Sequence, residues 1–190
     1  MKKLRILGIT GLCLASAASV AKADPAQFTG FQVGGLLGMS RASVTIPTLQ
    51  PVTDAYATNS GFSLGLYLGY GMVFSGFFVG VDGNYTMPFV ETRFDASKAK
   101  YKSSADLALR FGMDLNKVAL PYLRLGYAMN KIENDTFSGF TYGVGIDTKL
   151  APQMVLGFEF MQTADCKKNT AAGDTKANFS TARIKVAFHL

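Results

Sequence analysis

The chain has 190 residues, 48% of them hydrophobic and 17% charged, with nineteen basic against thirteen acidic side chains. That length suits about one domain. One histidine and two distant cysteines exclude a Cys/His metal cluster, and the excess of base is concentrated where it says little about nucleic acid.

The N-terminus explains that last point. Residues 1–23, MKKLRILGITGLCLASAASVAKA, place Lys2, Lys3 and Arg5 before an apolar run from Ile6 to Leu14. They end in the small-x-small triplet Ala21-Lys22-Ala23. This is the pattern of a secretory signal peptide, predicted to be cut before Asp24. A lipid anchor at Cys13 is disfavoured, because Leu12 stands where a small residue is expected. Four bases leave with the signal and all thirteen acids stay, so residues 24–190 carry about +2. Only Cys166 remains, which excludes an internal disulfide. An exported chain of this charge predicts no nucleic-acid partner.

Alternation then begins. Phe31, Val33, Leu37 and Met39 share one parity and predict a first strand. The next segment, GFSLGLYLGYGMVFSGFFVGV from Gly61 to Val81, is long and apolar enough to suggest a membrane helix. Its even positions from 62 to 72 are Phe, Leu, Leu, Leu, Tyr and Met; its odd ones are mostly glycine. Residues two apart share a face only in a strand. A helix here would also hold six glycines, each costing roughly 1 kcal/mol against alanine. After Val73-Phe74-Ser75-Gly76 the apolar parity flips to Phe77, Val79, Val81, Tyr85, Met87 and Phe89, as across a hairpin turn. So this is two strands.

Five more follow. The fourth has Ala105, Leu107, Leu109 and Phe111, and the fifth Leu123, Leu125, Tyr127 and Met129. Phe140, Tyr142, Val144 and Ile146 mark the sixth; Met154, Leu156, Phe158 and Phe160 the seventh. Ala182, Ile184, Val186, Phe188 and Leu190 mark the eighth. Each is long enough to cross lipid at a tilt.

The other parity is small or charged. It carries Gly65, Gly69, Gly80, Gly112, Gly126, Gly143, Gly145 and Gly157, together with Asp82, Asp106, Arg110, Arg124, Asp147, Lys149, Glu159, Arg183 and Lys185. A narrow interior accommodates that set; the bulky apolar set belongs against lipid. Backbone in lipid must be fully paired, so the sheet must close. The expected fold is all-β, an eight-stranded antiparallel up-and-down transmembrane β-barrel over residues 24–190. Links alternate between short (Val73 to Gly76, Asp114 to Lys117, Leu150 to Gln153) and long (Arg41 to Asn59, Glu91 to Ser103, Lys131 to Thr136, Gln162 to Asn178). Short periplasmic turns and longer external loops are the arrangement of outer-membrane barrels.

The opening FTGFQVGGLLGMS, the YLGYGM and RLGYAMN strands and the ending ARIKVAFHL resemble the small eight-stranded outer-membrane proteins of Gram-negative bacteria. The OmpA/OmpX-like proteins and the related alphaproteobacterial surface antigens are the group most similar. The resemblance implies contact with outer-membrane lipid and lipopolysaccharide, and assembly by the barrel-assembly machinery. It implies that this machinery reads the C-terminal row Val186, Phe188 and Leu190, although Leu190 departs from the family's aromatic last residue.

Candidate chemistry is sparse. The interior charges suit either an ion path or an ion-pair network filling a closed interior. An eight-stranded barrel is wide enough only for its own side chains, which favours the second. With the turn near Leu115, Asp106 is expected opposite or diagonal to Arg124, and Glu159 level with Arg183. His189 is expected inward beside the C-terminus, far from where barrel enzymes use a histidine base, so no catalytic site is expected. Gly69/Gly71 and Gly143/Gly145 open no helix and are not nucleotide motifs; no cofactor is implied. Lys167 and Lys168 beside Cys166 favour its thiolate, though an incidental loop cysteine is the simpler reading. Arg93, Lys98, Lys100 and Lys102 make one loop basic, suited to lipopolysaccharide phosphates or an acidic host or envelope partner. Val44, Ile46, Leu49, Val52 and Tyr56 make another unusually apolar, as a strand extension or a contact surface.

Overall fold

The computed structural model describes the backbone of residues 28–46, 55–94, 97–116, 118–132, 135–170 and 173–190. Side chains are described for 28–43, 60–89, 101–116, 118–132, 136–164 and 178–190. The predicted signal segment, residues 1–23, lies outside the described residues.

Nine strand segments form one antiparallel sheet: β1 (Gly30–Ile46), β2 (Ala55–Phe74), β3 (Phe77–Pro88), β4 (Val90–Phe94), β5 (Ser97–Met113), β6 (Ala119–Ile132), β7 (Asp135–Ala151), β8 (Met154–Thr170) and β9 (Gly173–His189). Their order is β3-β2-β1-β9-β8-β7-β6-β5-β4, with β3 also paired to β5. β3 and β4 are one strand interrupted at Phe89, and both pair with β5. The barrel is therefore closed and eight-stranded, as expected. The seam between the first and last strands runs from Gln32↔His189 to Thr45↔Lys176.

Alternation sets the two faces. Leu66 is 67% exposed while its neighbour Tyr67 is 2% exposed. Outward rows of Phe, Leu, Val, Ile and Met repeat on every barrel strand, and the inward rows are buried. The seam is tight because Gly34 and Gly38 have no side chains. A Cβ at Gly34 would strike the Val186 carbonyl oxygen and the Ala187 backbone, and one at Gly38 would strike the Ala182 carbonyl oxygen.

The two ends differ. At the turn end, Ser75 and Gly76 take φ of 50° and 85° between Phe74 and Phe77, the primed two-residue turn that matches strand twist. At the hairpin end the expected long links are mostly strand. β1 and β2 pair to Ile46↔Ala55, β4 and β5 to Phe94↔Ser97, β6 and β7 to Ile132↔Asp135, and β8 and β9 to Thr170↔Gly173. This replaces the loop assignment with strand over 41–46, 55–59, 91–94, 97–103, 131–132, 135–136, 162–170 and 173–178, and in β1 and β2 it is the strand extension given as one reading of the apolar segment. Apolar alternation ends where lipid ends, but the backbone ladder continues, because pairing satisfies N–H and C=O groups in water as well. In the apolar segment, Val44, Ile46 and Tyr56 fall on the paired extension of β1 and β2, while Leu49 and Val52 lie outside the described residues.

Candidate functional site

The interior is layered. At the turn end Phe28, Phe78, Leu120, Tyr122 and Val155 form a buried apolar cluster. At the hairpin end Ala42, Tyr101, Phe137 and Phe179 form another, with Tyr101 and Phe179 rings 5.2 Å apart. Between them lie four acids and four bases, each at most 8% exposed: Asp82, Asp106, Asp147 and Glu159 with Arg110, Arg124, Arg183 and Lys185.

Each base has a specific seat. Arg110, on β5, sets Nε 3.0 Å from Asp82 Oδ2 and Nη1 3.1 Å from Asp147 Oδ2, while Nη2 donates to Tyr67 OH at 2.6 Å. Three rings enclose its guanidinium carbon, with centroids at 5.1 Å (Phe78), 5.2 Å (Tyr122) and 5.5 Å (Tyr67). Arg124, on β6, donates through Nε to Asp82 Oδ1 at 3.1 Å and through Nη2 to Asp106. Arg183 is paired directly across from Glu159 in the β8–β9 register, and its Nε donates to Glu159 Oε2 at 2.5 Å. Lys185 Nζ lies 2.8 Å from Asp147 Oδ2 and 4.4 Å from the Tyr67 centroid. Neutral donors complete the network. Tyr122 OH donates to Glu159 Oε1 at 2.8 Å, and Asn84 Nδ2 to Asp106 Oδ1 at 2.9 Å.

One expectation needs correcting. Arg124 is register-paired with Arg110, and Asp106 with Ala128, so Asp106 is neither opposite nor diagonal to Arg124. They still meet, because long side chains cross the interior rather than follow the strand ladder. Lys149 is half-buried at the turn end, with Nζ 5.3 Å from the Phe28 centroid. His189 is half-buried there too, with Nε2 2.8 Å from Gln32 Nε2.

Tyr67, Phe78 and Tyr122 were not singled out from sequence, yet they carry much of the site. Their signal was parity: each shares a face with the glycines and charges. The glycines make room for them. A Cβ on Gly145 would lie 2.5 Å from Tyr122 Cζ, and one on Gly80 2.8 Å from Phe78 Cζ. Among the described residues, Asn84 Oδ1, Asn130 Nδ2 and Thr141 Oγ1 are buried without a protein partner.

The remaining candidates are placed as follows. Val186, Phe188 and Leu190 all point outward. Arg93 pairs in register with Lys98, and Glu91 with Lys100; the side chains of these residues lie outside the described set. Lys102 is exposed on β5. Cys166 is paired with Ala177 in the β8–β9 hairpin, its side chain likewise undescribed.

A family model described as outer membrane protein beta-barrel domain matches residues 10–189. No curated protein sequence matches the chain. Among solved structures, Neisserial surface protein A (NspA) is similar at 14% identity and a TM-score of 0.55, over 85% of this chain and 98% of that one. The outer membrane protein OprG from Pseudomonas aeruginosa is similar at 14% identity and a TM-score of 0.54, over 85% and 96%. At that identity the likeness is one of fold.

Proposed function

The chain belongs to the outer membrane protein β-barrel family, and on that premise we propose that it is a non-enzymatic barrel, closed by its own side chains, that holds four hairpins at the cell surface. The observation that carries this reading is the layered interior: a charge-balanced network between two apolar clusters. A narrow barrel filled in this way is a rigid support, and the function resides in what it displays: envelope integrity, surface contact or adhesion. The non-enzymatic part rests on His189, the chain's one histidine, which stands beside Gln32 at the turn end and away from the hairpins. Residues 1–23 would direct export, and the outward row Val186, Phe188 and Leu190 would be read by the assembly machinery.

A narrow solute or ion channel is the second reading. The unpartnered polar atoms of Asn84, Asn130 and Thr141 favour it, because buried polar groups ordinarily bind water. Conductance in planar bilayers separates the two. The wild-type barrel is expected to stay at baseline, and so is Tyr101→Ala/Phe179→Ala, because the ion-paired layer beneath still fills the interior. Salt-dependent conductance of the wild type, or its appearance in the double variant, would favour the channel instead.

Display has its own test. An epitope inserted between Thr170 and Gly173 is expected to bind antibody on intact cells. Binding only after the outer membrane is permeabilised would place the hairpin end in the periplasm and overturn this reading.

A further inference from the structure

The seam between the first and last strands begins with the register pair Gln32↔His189, and their side chains end a hydrogen-bonded relay that starts inside the barrel. Arg110 Nη2 donates to Tyr67 OH at 2.6 Å, and Tyr67 donates to Gln32 Oε1 at 2.9 Å. Gln32 Nε2 then lies 2.8 Å from His189 Nε2. Arg110, Tyr67 and Gln32 are buried, whereas His189 is half-buried and within reach of solvent.

The direction of this relay is forced. A guanidinium only donates, so the Tyr67 oxygen accepts and its hydrogen goes to Gln32 Oε1. That leaves the Gln32 amide nitrogen facing the imidazole, and an amide nitrogen also only donates. His189 Nε2 must therefore accept, which places the ring hydrogen on Nδ1. The opposite amide orientation would set two donors, Arg110 and Gln32, on the Tyr67 oxygen. The phenolic hydrogen would then lose its acceptor inside the barrel, which is costly for a buried donor.

The charged groups that face His189 are Lys149 and Asp147 on β7, Arg110 on β5 and Lys185 on β9, three bases against one acid. Asp147 is already held by Arg110 and Lys185. A proton added at Nε2 therefore enters basic surroundings.

We propose that His189 is an acid-sensitive latch on the closing seam, held by Arg110 through Tyr67 and Gln32. A proton taken from water by Nε2 occupies the lone pair that Gln32 binds. Two N–H groups then face each other at the first rung of the seam. The amide does not turn freely to relieve them, because Tyr67 fixes it and Arg110 fixes Tyr67. In the unfolded chain the same ring takes up its proton near pH 6.5 without losing a partner. The stability that the latch supplies is therefore full above that pH and is lost as the pH falls below it. This device acts at the turn end and is independent of what the hairpins display.

His189 is the one histidine of the chain, which makes the test specific. The full chain, folded in phosphatidylcholine vesicles, is unfolded in urea at about pH 7.5 and about pH 5.5, either side of the ordinary histidine value. The unfolding constant of wild type is expected to rise about tenfold across that interval, the full effect of one such group. His189→Gln, whose amide oxygen accepts at either pH, is expected to change less than about twofold. Tyr67→Phe is expected to be less stable at both pH values but to show a step below about threefold, because Gln32 is then free to turn its oxygen to the imidazolium. Nitrogen-15 spectra of wild type at the higher pH are expected to show the Nδ1–H tautomer. No step in wild type, an equal step in His189→Gln or in Tyr67→Phe, or an Nε2–H ring at the higher pH would each overturn the proposal. A cold-versus-boiled gel shift confirms that each variant is folded, and the wild-type step and spectrum decide the matter if one is not.

Discussion

Arg124→Ala is expected to lower the unfolding free energy of the barrel by about 3–5 kcal/mol, the usual cost of removing one partner of a buried ion pair. Arg124 bonds both Asp82 and Asp106, and Asp82 is shared with Arg110, so a single truncation leaves the interior with four acids against three bases. The penalty is the uncompensated carboxylate rather than a large net worth of the pair, since desolvation offsets much of the attraction. Arg124→Lys is expected to recover only part of the loss, because an ammonium keeps the charge but not the fork that reaches two carboxylates. The urea midpoint of the lipid-inserted barrel measures both. Conductance is expected to stay at baseline, because the neighbouring side chains still fill the interior. A midpoint within about 0.5 kcal/mol of wild type would show that the network does not hold the barrel together.

The second large effect is expected at the seam. Gly34→Val should abolish the heat-modifiable folded band, whereas Gly35→Val, one residue away, should keep it. A side chain at Gly34 meets the carbonyl oxygen of Val186 and the backbone of Ala187; at Gly35 a Cβ meets nothing within 4 Å. Overpacking against mobile side chains costs about 1–3 kcal/mol. Here the obstacle is the ladder that joins the first strand to the last, and it cannot withdraw without giving up closure. An open edge in lipid leaves unpaired backbone groups at several kcal/mol each. Both variants retain strand propensity, so the comparison isolates the close approach. If the two gave the same band, the seam would be looser than these distances require.

The outward apolar rows were legible from sequence because lipid selects them one residue at a time: Leu64, Leu66 and Leu68 repeat every second position and each is exposed to the membrane. Inward residue types were legible for the same reason, as small and charged side chains on the remaining parity. Tyr67 and Tyr122 were passed over because a tyrosine reads as membrane-facing on composition; only its position among glycines marks it as internal. Apart from the apolar extension of β1 and β2, the hairpin extensions were not legible, because pairing in water leaves no alternation to detect, although the backbone ladder of β8 and β9 runs on to Thr170↔Gly173.

Sequence by itself therefore determined the strand period, the faces within the apolar band and the closure that lipid demands, all consequences of local alternation and the cost of unpaired backbone. Tertiary structure decided which charges meet. Arg124 passes its register neighbours to reach Asp82 on β3, a partner 42 positions away in the chain. It also decided where the pattern breaks, at the β5 bulge that exchanges Tyr101 for Lys102 on the outer face. Both depend on curvature and on side chains crossing a shared interior, and neither is a property of any one strand.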